Sequence, residues 1–266
     1  MISQIGRTIN QNIESFGGQT IFLWETIAAL FLGLRSWGRW DRLGEQLYTV
    51  GARSVPVLAL TGLFIGAILA VEGYYQFKTF GQEHRLGGVV TISIVKQIGP
   101  VLAGVMLAGR VGCSLTAELG SMKVTEQIDA MRAMGADPMR VLVAPRVVAC
   151  VVMIPALTVV SNAFGMAGSW LIVTQMHGVD HDAYWDFIAV FIDWFDVLSG
   201  QVKAIFFGAA IGVIACFKGL TCGAGARGVG QATTEAFVTS FVAIVVLSLG
   251  LAQILNTLDL WRQDLL

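Results

Sequence analysis

Charged residues are scarce in this chain of 266 residues, because Lys, Arg, Asp and Glu together make up only 13% of it. A soluble domain carries roughly 25%. Hydrophobic residues account for 55% of the chain, and the mean hydropathy is +0.71. The composition therefore excludes an ordinary soluble domain and predicts an all-α integral membrane protein with several spans.

Basic runs are also absent, and the formal net charge is only −1. A nucleic-acid-binding protein needs a clustered basic face, so no nucleic-acid partner is expected. The N-terminal sequence MISQIGRTINQNIESFGG has neither the apolar core nor the small-residue cleavage site of a signal peptide. We therefore expect no cleaved leader in this sequence.

The motifs that mark catalysis or nucleotide binding are missing too. The chain has no G-x-x-x-x-G-K-[ST], no G-x-S-x-G and no H-E-x-x-H. Its cysteines form no C-x-x-C pair and lie in or near apolar segments, where they are expected to pack as small hydrophobic residues; they are Cys113, Cys150, Cys216 and Cys222. No catalytic residue, metal site or cofactor is therefore assigned to this chain.

Two segments could still suggest a ligand. The Gly-rich segment 219–230 departs from the P-loop pattern and lies between two apolar segments, so a tight turn is favoured over a phosphate site. His177 and His181 are four residues apart with Asp180 and Asp182 beside them, which could suit a metal. A solvated acidic loop is the favoured interpretation of that segment.

Five apolar segments approach the roughly 20 residues that a helix needs to cross a membrane. They are expected at about 55–75, 89–107, 147–173, 202–217 and 236–258. The first contains Gly62-x-x-x-Gly66, a spacing that permits close helix packing but is common in Gly-rich spans. Residues 51–266 are therefore predicted to form a five-span domain.

Residues 1–50 are expected to form a separate N-terminal cytoplasmic segment. Its apolar run, 20–34, is too short to span the membrane and is followed by RSWGRWDR. Trp and Arg at such a position are typical of a helix lying at the interface. A second unusual segment, 177–196, has five aspartates, many aromatic residues and no Lys or Arg. It could be a surface helix or a re-entrant piece.

The distribution of basic residues predicts the orientation, since cytoplasmic loops are enriched in Lys and Arg. The richer side would hold Arg7, Arg35, Arg39, Arg42, Arg53, Arg110, Lys123, Arg132, Arg140, Arg146, Lys218 and Arg227. The other side would hold Lys78, Arg85, Lys203 and Arg262. The N-terminus is therefore expected in the cytoplasm and, with five spans, the C-terminus outside.

The longest charged interval between two apolar spans is predicted to form an amphipathic helix at about 116–137. Its apolar stripe consists of Val124, Ile128 and Met131. Its polar side consists of Glu126, Gln127, Asp129 and Arg132. Gly135 is the expected C-cap, and Pro138 prevents continuation. Such a helix is typical of a membrane protein that transmits force to a soluble partner.

Two polar positions fall inside predicted spans, where ionisable groups are costly. Lys96-Gln97 lies in the second span, just before Ile98-Gly99-Pro100, and Lys203 lies in the fourth. Each lysine either faces a cavity or extends its ammonium to the membrane surface. The sequence leaves both possibilities open.

The runs GPVLAGVMLAGRVGCSLTAELGSMKVTEQIDAM and GARGVGQATTEAFVTS resemble the MlaE/YrbE-type permeases of ABC lipid transporters, the membrane subunits of Mla and Mce systems. The resemblance covers nearly the whole chain. It implies a multi-pass permease of the bacterial inner membrane, with an N-terminal elbow helix, five spans and a cytoplasmic coupling helix between the second and third.

Several partners follow from the resemblance. They are a second copy of the chain, a dimer of a separate ABC ATPase that binds ATP and Mg, a periplasmic MCE-domain substrate-binding protein, and phospholipid or a related lipid as cargo. The alternative is a stand-alone channel or secondary transporter for an amphipathic substrate. No inverted repeat and no relay of acids and histidines supports that alternative, and the missing motifs disfavour an intramembrane enzyme.

The resemblance also suggests residue roles. The coupling surface would comprise Glu118, Met122, Val124, Glu126, Gln127, Asp129 and Arg132. The lipid cavity would be bordered by Lys96, Gln97 and Lys203. Many family members have Arg-Glu where this chain has Lys96-Gln97, and some have an acidic residue near Ser248, so a less polar cavity is expected here.

Overall fold

The computed structural model describes residues 40–264 together with Phe22, Trp24 and Thr26. Every regular element in this part of the chain is helical, which confirms the predicted all-α class. The α-helices are α1 (Trp40–Val50), α2 (Val55–Thr79), α3 (Leu86–Ser93), α4 (Gly99–Leu107), α5 (Cys113–Val124), α6 (Gln127–Ala133), α7 (Ala144–Trp170), α8 (His181–Phe191), α9 (Trp194–Leu220) and α10 (Gly225–Asp264).

Short 3₁₀ and π turns join several of these helices into longer rods. The 3₁₀ turns are Ala52–Ser54 and Glu83–Arg85, and the π turns are Ile94–Ile98, Ala108–Gly112, Met139–Val143 and Leu171–Met176. Five of the resulting helical stretches are long and apolar enough to cross a membrane, which confirms the five predicted spans. They are Leu43–Thr79, Glu83–Val124, Met139–Met176, Trp194–Leu220 and Gly225–Gln263.

The spans alternate in direction, so their ends form two groups. We call one group the α6 end, because α6 connects the second and third spans there. We call the other the α8 end, because α8 connects the third and fourth spans there. The core between these ends is formed by α4, α5, α7, α9 and α10, around buried side chains such as Phe207 and Ile211.

The spans extend beyond the predicted limits, and the expected helix 116–137 is wrong as a single element. The second span continues to Val124, and the chain then breaks before the short helix α6. An apolar segment marks the hydrocarbon core, whereas a helix can continue into water because its backbone hydrogen bonds are internal. The Gly135 C-cap was predicted correctly, since this residue has φ +75° and its N–H donates to the Arg132 carbonyl.

The turn in the Gly-rich segment is shorter than expected. Only four residues, 221–224, separate α9 from α10, so most of the predicted turn 219–230 is helical. Segment 177–196 contains the 11-residue helix α8, which packs on α3 through the buried Tyr184. A helix of that length is about 16 Å long and cannot span a membrane, so the surface-helix alternative is favoured.

The predicted elbow helix, 20–34, lies almost entirely outside the described residues. Phe22, Trp24 and Thr26 are helical. The Phe22 ring packs edge-on against Phe217 near the end of α9, with centroids 5.5 Å apart.

Glycines allow the first and third spans to pack with their backbones in contact. A Cβ at Gly62 would lie 2.3 Å from the Ser161 carbonyl oxygen, and a Cβ at Gly66 only 1.8 Å from that of Gly165. The weak Gly62-x-x-x-Gly66 signal therefore marks a real helix crossing. Close approach of this kind replaces the hydrophobic effect as the source of helix association in lipid.

We expect Gly66→Ala to destabilise this crossing by about 1–3 kcal/mol, because the added methyl group forces the two backbones apart. The matched control is Gly250→Ala in α10, since no atom lies within 4 Å of the position that a Cβ would take there. Thermal unfolding of the purified chain in detergent measures the difference. Equal midpoints for the two variants would contradict the proposed close contact.

Candidate functional site

A proline in the second span determines where the buried Lys203 binds. Pro100 has no N–H, so the Lys96 carbonyl lacks its usual hydrogen-bond donor four residues later. The Lys203 ammonium, which is 2% exposed, donates to this carbonyl oxygen at 2.9 Å. The ammonium of Lys203 therefore satisfies a backbone acceptor that would otherwise be unpaired within the membrane.

Gln97 connects three spans through its side-chain amide. Its Oε1 accepts a short hydrogen bond from Lys203 Nζ, and its Nε2 donates to Ser248 Oγ in the fifth span at 2.8 Å. A carboxylate at position 97 would have no N–H to donate to Ser248. The Gln97–Ser248 pair is therefore a neutral polar contact between the second and fifth spans.

Lys96 points away from Lys203 and forms ion pairs with the fourth and fifth spans. Its Nζ lies 2.9 Å from Asp196 Oδ1 and 3.6 Å from Asp259 Oδ2. Asp196 is buried in the first turn of α9, where its other carboxylate oxygen accepts the Asp193 N–H at 3.1 Å. Lys96 therefore holds the start of the fourth span against the end of the fifth.

Arg262 extends this network at the α8 end. It pairs with Asp193 and lies 3.1 Å from Asp259 Oδ1. We use the term charge cluster for three bases and three acids, namely Lys96, Lys203, Arg262, Asp193, Asp196 and Asp259. With every member ionised its formal charge is zero, and among the described ion pairs its acids contact Lys96 and Arg262.

An open apolar groove of about 450 Å³ runs beside the charge cluster, near the middle of the second and fifth spans. Its walls include Gln97, Ile98, Val101, Val245, Ser248 and Leu249. Only Gln97 and Ser248 contribute polar side chains to this set. The groove can therefore hold a hydrocarbon chain and offers an uncharged hydrogen-bonding pair beside it.

The structure brings the three predicted cavity residues together but places them differently from one another. Gln97 lines the groove, Lys203 is buried behind it, and Lys96 faces the charge cluster. A lipid-binding role for these residues stays a prediction. Sequence reasoning missed Asp196, although its spacing three residues after Asp193 is a capping pattern.

The predicted coupling surface is exposed in part. Six of its seven residues are exposed, namely Glu118, Val124, Glu126, Gln127, Asp129 and Arg132, and Met122 is half-buried. Asp129 and Arg132 pair with each other at 3.3 Å, both more than 60% exposed. Ile128, expected in the same apolar stripe as Val124, is buried. The stripe is broken because the chain turns between them.

Glu118 is exposed but forms an ion pair within the protein. Its Oε1 lies 2.7 Å from Arg146 Nη2 in the third span, and the Arg146 side chain is only 5% exposed. This ion pair joins the second and third spans at the α6 end. Glu118 therefore has a bracing contact that the sequence did not indicate.

Glu126 has the left-handed backbone conformation, with φ +59° and ψ 12°. It is the only non-glycine residue with positive φ in the described part of the chain. This conformation costs an L-residue roughly 1–2 kcal/mol. The turn presents an exposed carboxylate between α5 and α6.

The two histidines of the possible metal site have separate partners. His177 stacks on Tyr74 with ring centroids 3.6 Å apart, while His181 Nδ1 accepts the Trp170 indole N–H at 3.0 Å. Within the described residues no group of three His, Cys, Asp or Glu side chains is arranged to hold a metal ion.

Comparison with known proteins assigns most of the chain to one family. The family model described as Permease MlaE matches residues 43–254, which include all five spans except the last turns of α10. The chain belongs to the MlaE permease family. The match includes the groove and α6 but ends before Asp259 and Arg262, so two members of the charge cluster lie beyond the MlaE match.

Relatives of this MlaE-family chain occur in distant organisms. A probable ABC transporter permease protein of Rickettsia typhi is 41% identical over 202 residues, covering 76% of this chain and 78% of that protein. The intermembrane phospholipid transport system permease protein MlaE of Haemophilus influenzae is 36% identical over 214 residues, covering 80% and 82%. The chloroplastic protein TRIGALACTOSYLDIACYLGLYCEROL 1 of Arabidopsis thaliana is 36% identical over 207 residues, covering 78% and 59%.

The Asp193–Arg262 pair of this MlaE-family chain should make its stability depend on pH. The hydrogen bond from Arg262, assisted by the Trp194 N–H, lowers the pKa of the Asp193 carboxyl below its ordinary 3.8. A group whose folded pKa is lowered stabilises the fold above its unfolded pKa, and this contribution is lost as the pH falls through the folded pKa. The difference in thermal-unfolding midpoint between wild type and Asp193→Asn should therefore be largest at neutral pH and disappear below about pH 4.

The control for this titration is Asp186→Asn, an exposed acid on α8. Its gap to wild type should stay small at every pH, because no described basic side chain forms an ion pair with Asp186. A gap for Asp193→Asn that is constant from pH 7 to pH 3 would contradict the assignment.

Proposed function

We propose that this chain is the membrane-spanning subunit of an ABC transporter that moves phospholipid between the inner and outer membranes of a bacterium. The observation that carries the proposal is the apolar groove beside the Gln97–Ser248 contact. Its volume of about 450 Å³ is within the range of small-molecule sites. An apolar wall with a small polar patch suits one acyl chain and the start of a lipid backbone.

The groove is open on one side in the single chain, and Leu249 at its rim is 76% exposed. A second copy packed against the fifth span would complete a closed lipid cavity, so the proposed active form is a homodimer. Each copy would then contribute one wall of the cavity. A periplasmic MCE-domain protein would receive or deliver lipid at the α8 end.

The energy source would be a separate ATPase dimer, which would bind ATP and Mg. This chain would lack an ATPase site of its own, in keeping with the missing P-loop motif. The exposed charges of α6 and the left-handed Glu126 would form the docking surface. With the ATPase docked there, the α6 end and the N-terminus would lie in the cytoplasm, as the basic-residue distribution predicts.

The alternative, a stand-alone channel or secondary transporter, has less support. The described charge cluster balances its own charges and leaves no chain of acids and histidines across the bundle. Family membership also favours the ABC assignment, because several relatives are named as ABC transporter permeases. Purification of the chain with an ATPase subunit would separate the two proposals.

The groove can be tested by filling it. We expect Val245→Trp to reduce ATP-dependent lipid transfer between labelled donor and acceptor vesicles by about tenfold or more, because the indole would occupy the space that an acyl chain needs and a loss of about 1.4 kcal/mol in lipid binding is already a factor of about ten. The control is Val246→Trp, because the neighbouring side chain is exposed but does not line the groove. Equal transfer by the two variants would be inconsistent with a lipid path through this groove.

The docking surface can be tested at Glu126. Removing one partner of a desolvated charge pair costs about 2–5 kcal/mol, which is a factor of about 30 or more in affinity. Glu126→Lys should therefore lose the ATPase subunit on purification while the permease remains folded. Glu126→Gly should also lose it, yet unfold at a higher temperature because glycine relieves the left-handed strain.

The control for the docking test is Asp186→Lys, which reverses an exposed acid at the α8 end. It should recover as much ATPase as wild type at equal membrane abundance. Full recovery of the ATPase by both Glu126 variants would show that this turn is an ordinary exposed loop.

A further inference from the structure

A second cavity, of about 250 Å³, lies between the first and second spans. Its polar side chains are those of Glu72 and Gln76 on α2 and Ser93 on α3. Ile98 lines both this cavity and the groove between the second and fifth spans. The two spaces therefore adjoin at this residue.

Glu72 is a charged group in an otherwise apolar part of the first span. It is the only charged residue between Val55 and Phe77. It lies about two turns, or about 10 Å, before the end of the span at Thr79. An ionisable side chain in a membrane span is costly and usually faces a substrate path or a partner group. Glu72 is exposed, so a ligand in the cavity can reach its carboxylate.

The charge of Glu72 is not balanced by any ion pair within the described residues. The next Lys and Arg along the chain have other contacts. Lys78 Nζ lies 5.5 Å from the centroid of the Tyr74 ring, and Arg85 Nη1 donates to Gln82 Oε1 at 3.5 Å. The carboxylate is therefore available to a cationic group that enters the cavity.

The polar lining of the cavity is rich in hydrogen-bond acceptors. The Ser93 hydroxyl donates its hydrogen to the Val89 carbonyl at 2.7 Å, which leaves the lone pairs of its oxygen free to accept. The Gln76 amide oxygen also accepts, and the Glu72 carboxylate can only accept. A primary ammonium carries three N–H donors, whereas a quaternary ammonium carries none. The lining therefore suits a primary amine.

The rest of the lining is apolar, which favours an amine that is part of a lipid. The apolar positions are Leu69, Gly73, Phe77, Leu86, Val89, Val90 and Ile98. A small soluble amine would gain little from these walls, since it has no apolar surface to bury. A lipid whose acyl chain occupies the groove can place its headgroup beyond Ile98, in the cavity.

We infer that this cavity selects the headgroup of the transported lipid, and that the favoured headgroup carries a primary amine, as in phosphatidylethanolamine. The inference rests on the proposed function, because it names the headgroup of the cargo. The ammonium lies against the Glu72 carboxylate, and Gln76 and Ser93 accept its other hydrogens. Phosphatidylglycerol has no ammonium, and its net negative charge is repelled by Glu72. Glu72 is thus a specificity-determining residue.

The test uses the full-length permease reconstituted with its ATPase and periplasmic partner subunits. Donor vesicles contain equal amounts of isotope-labelled phosphatidylethanolamine, phosphatidylglycerol and phosphatidylcholine with identical acyl chains. Mass spectrometry measures the ratio of the three labelled lipids that reach acceptor vesicles with ATP, and the ratio recovered with the purified permease. Each value is a ratio within one sample, so a variant that assembles less well does not alter it.

Wild type should favour phosphatidylethanolamine over each of the other two lipids by about tenfold, the effect expected for one hydrogen bond to a charged group. Glu72→Gln, which keeps the shape and removes the charge, should bring the ratio close to one. Glu72→Lys should shift it toward phosphatidylglycerol. The matched control is Glu83→Gln, since Glu83 lies in the turn at the same end but does not line the cavity. This variant should keep the wild-type ratio.

Other results would overturn the inference. An unchanged ratio in Glu72→Gln would remove Glu72 from headgroup selection while the proposed transport function stands. Equal amounts of phosphatidylethanolamine and phosphatidylcholine in wild type would show that the N–H donors are not recognised. A Glu72→Gln permease that becomes monomeric with an unaltered ratio would assign the carboxylate to a contact between two copies. Failure of wild type to transfer any of the three lipids would overturn the proposed function, and the lipid recovered with the purified permease would still decide the headgroup preference.

Discussion

The hydrogen bond from Lys203 Nζ to the Lys96 carbonyl oxygen is the contact on which the polar residues near the α8 end depend. In the hydrocarbon core water cannot satisfy an unpaired backbone group, so the acceptor freed by Pro100 needs a donor from another span. Lys203 provides it at 2.9 Å, but a buried ammonium then requires further acceptors. Gln97 Oε1 is one such acceptor, whereas the carboxylates of the charge cluster pair with Lys96 and Arg262.

This hydrogen bond helps to keep charged side chains out of the groove. Lys203 is turned into the protein, and Lys96 is directed to Asp196 and Asp259, so the surface facing the groove keeps only an amide and a hydroxyl. A charged groove wall would bind water and anions, whereas this wall disfavours both. The balanced cluster therefore stabilises the bundle and leaves the groove suitable for hydrocarbon.

The sequence allowed correct prediction of the features that depend on local composition. Five spans, an all-α class and the Gly135 cap follow from apolar length and turn chemistry, and these agree with the structure. The length of the helices was not predictable from hydropathy, because the second span continues through polar residues to Val124. The pairing of Glu118 with Arg146, or of Lys96 with Asp259, joins residues distant in sequence, and neither composition nor spacing identifies such partners.

The short link between α9 and α10 limits the number of independent motions available to the bundle. Its four residues are bracketed by Lys218–Glu235 at one end, 2.8 Å apart, and the two helices are joined again by Asp193 and Arg262 at the other. The fourth and fifth spans are therefore joined at both ends of their hairpin. Widening the groove requires the second span to separate from this hairpin, and the Gln97–Ser248 hydrogen bond, together with the contacts of Lys96 and Lys203, holds the two sides together.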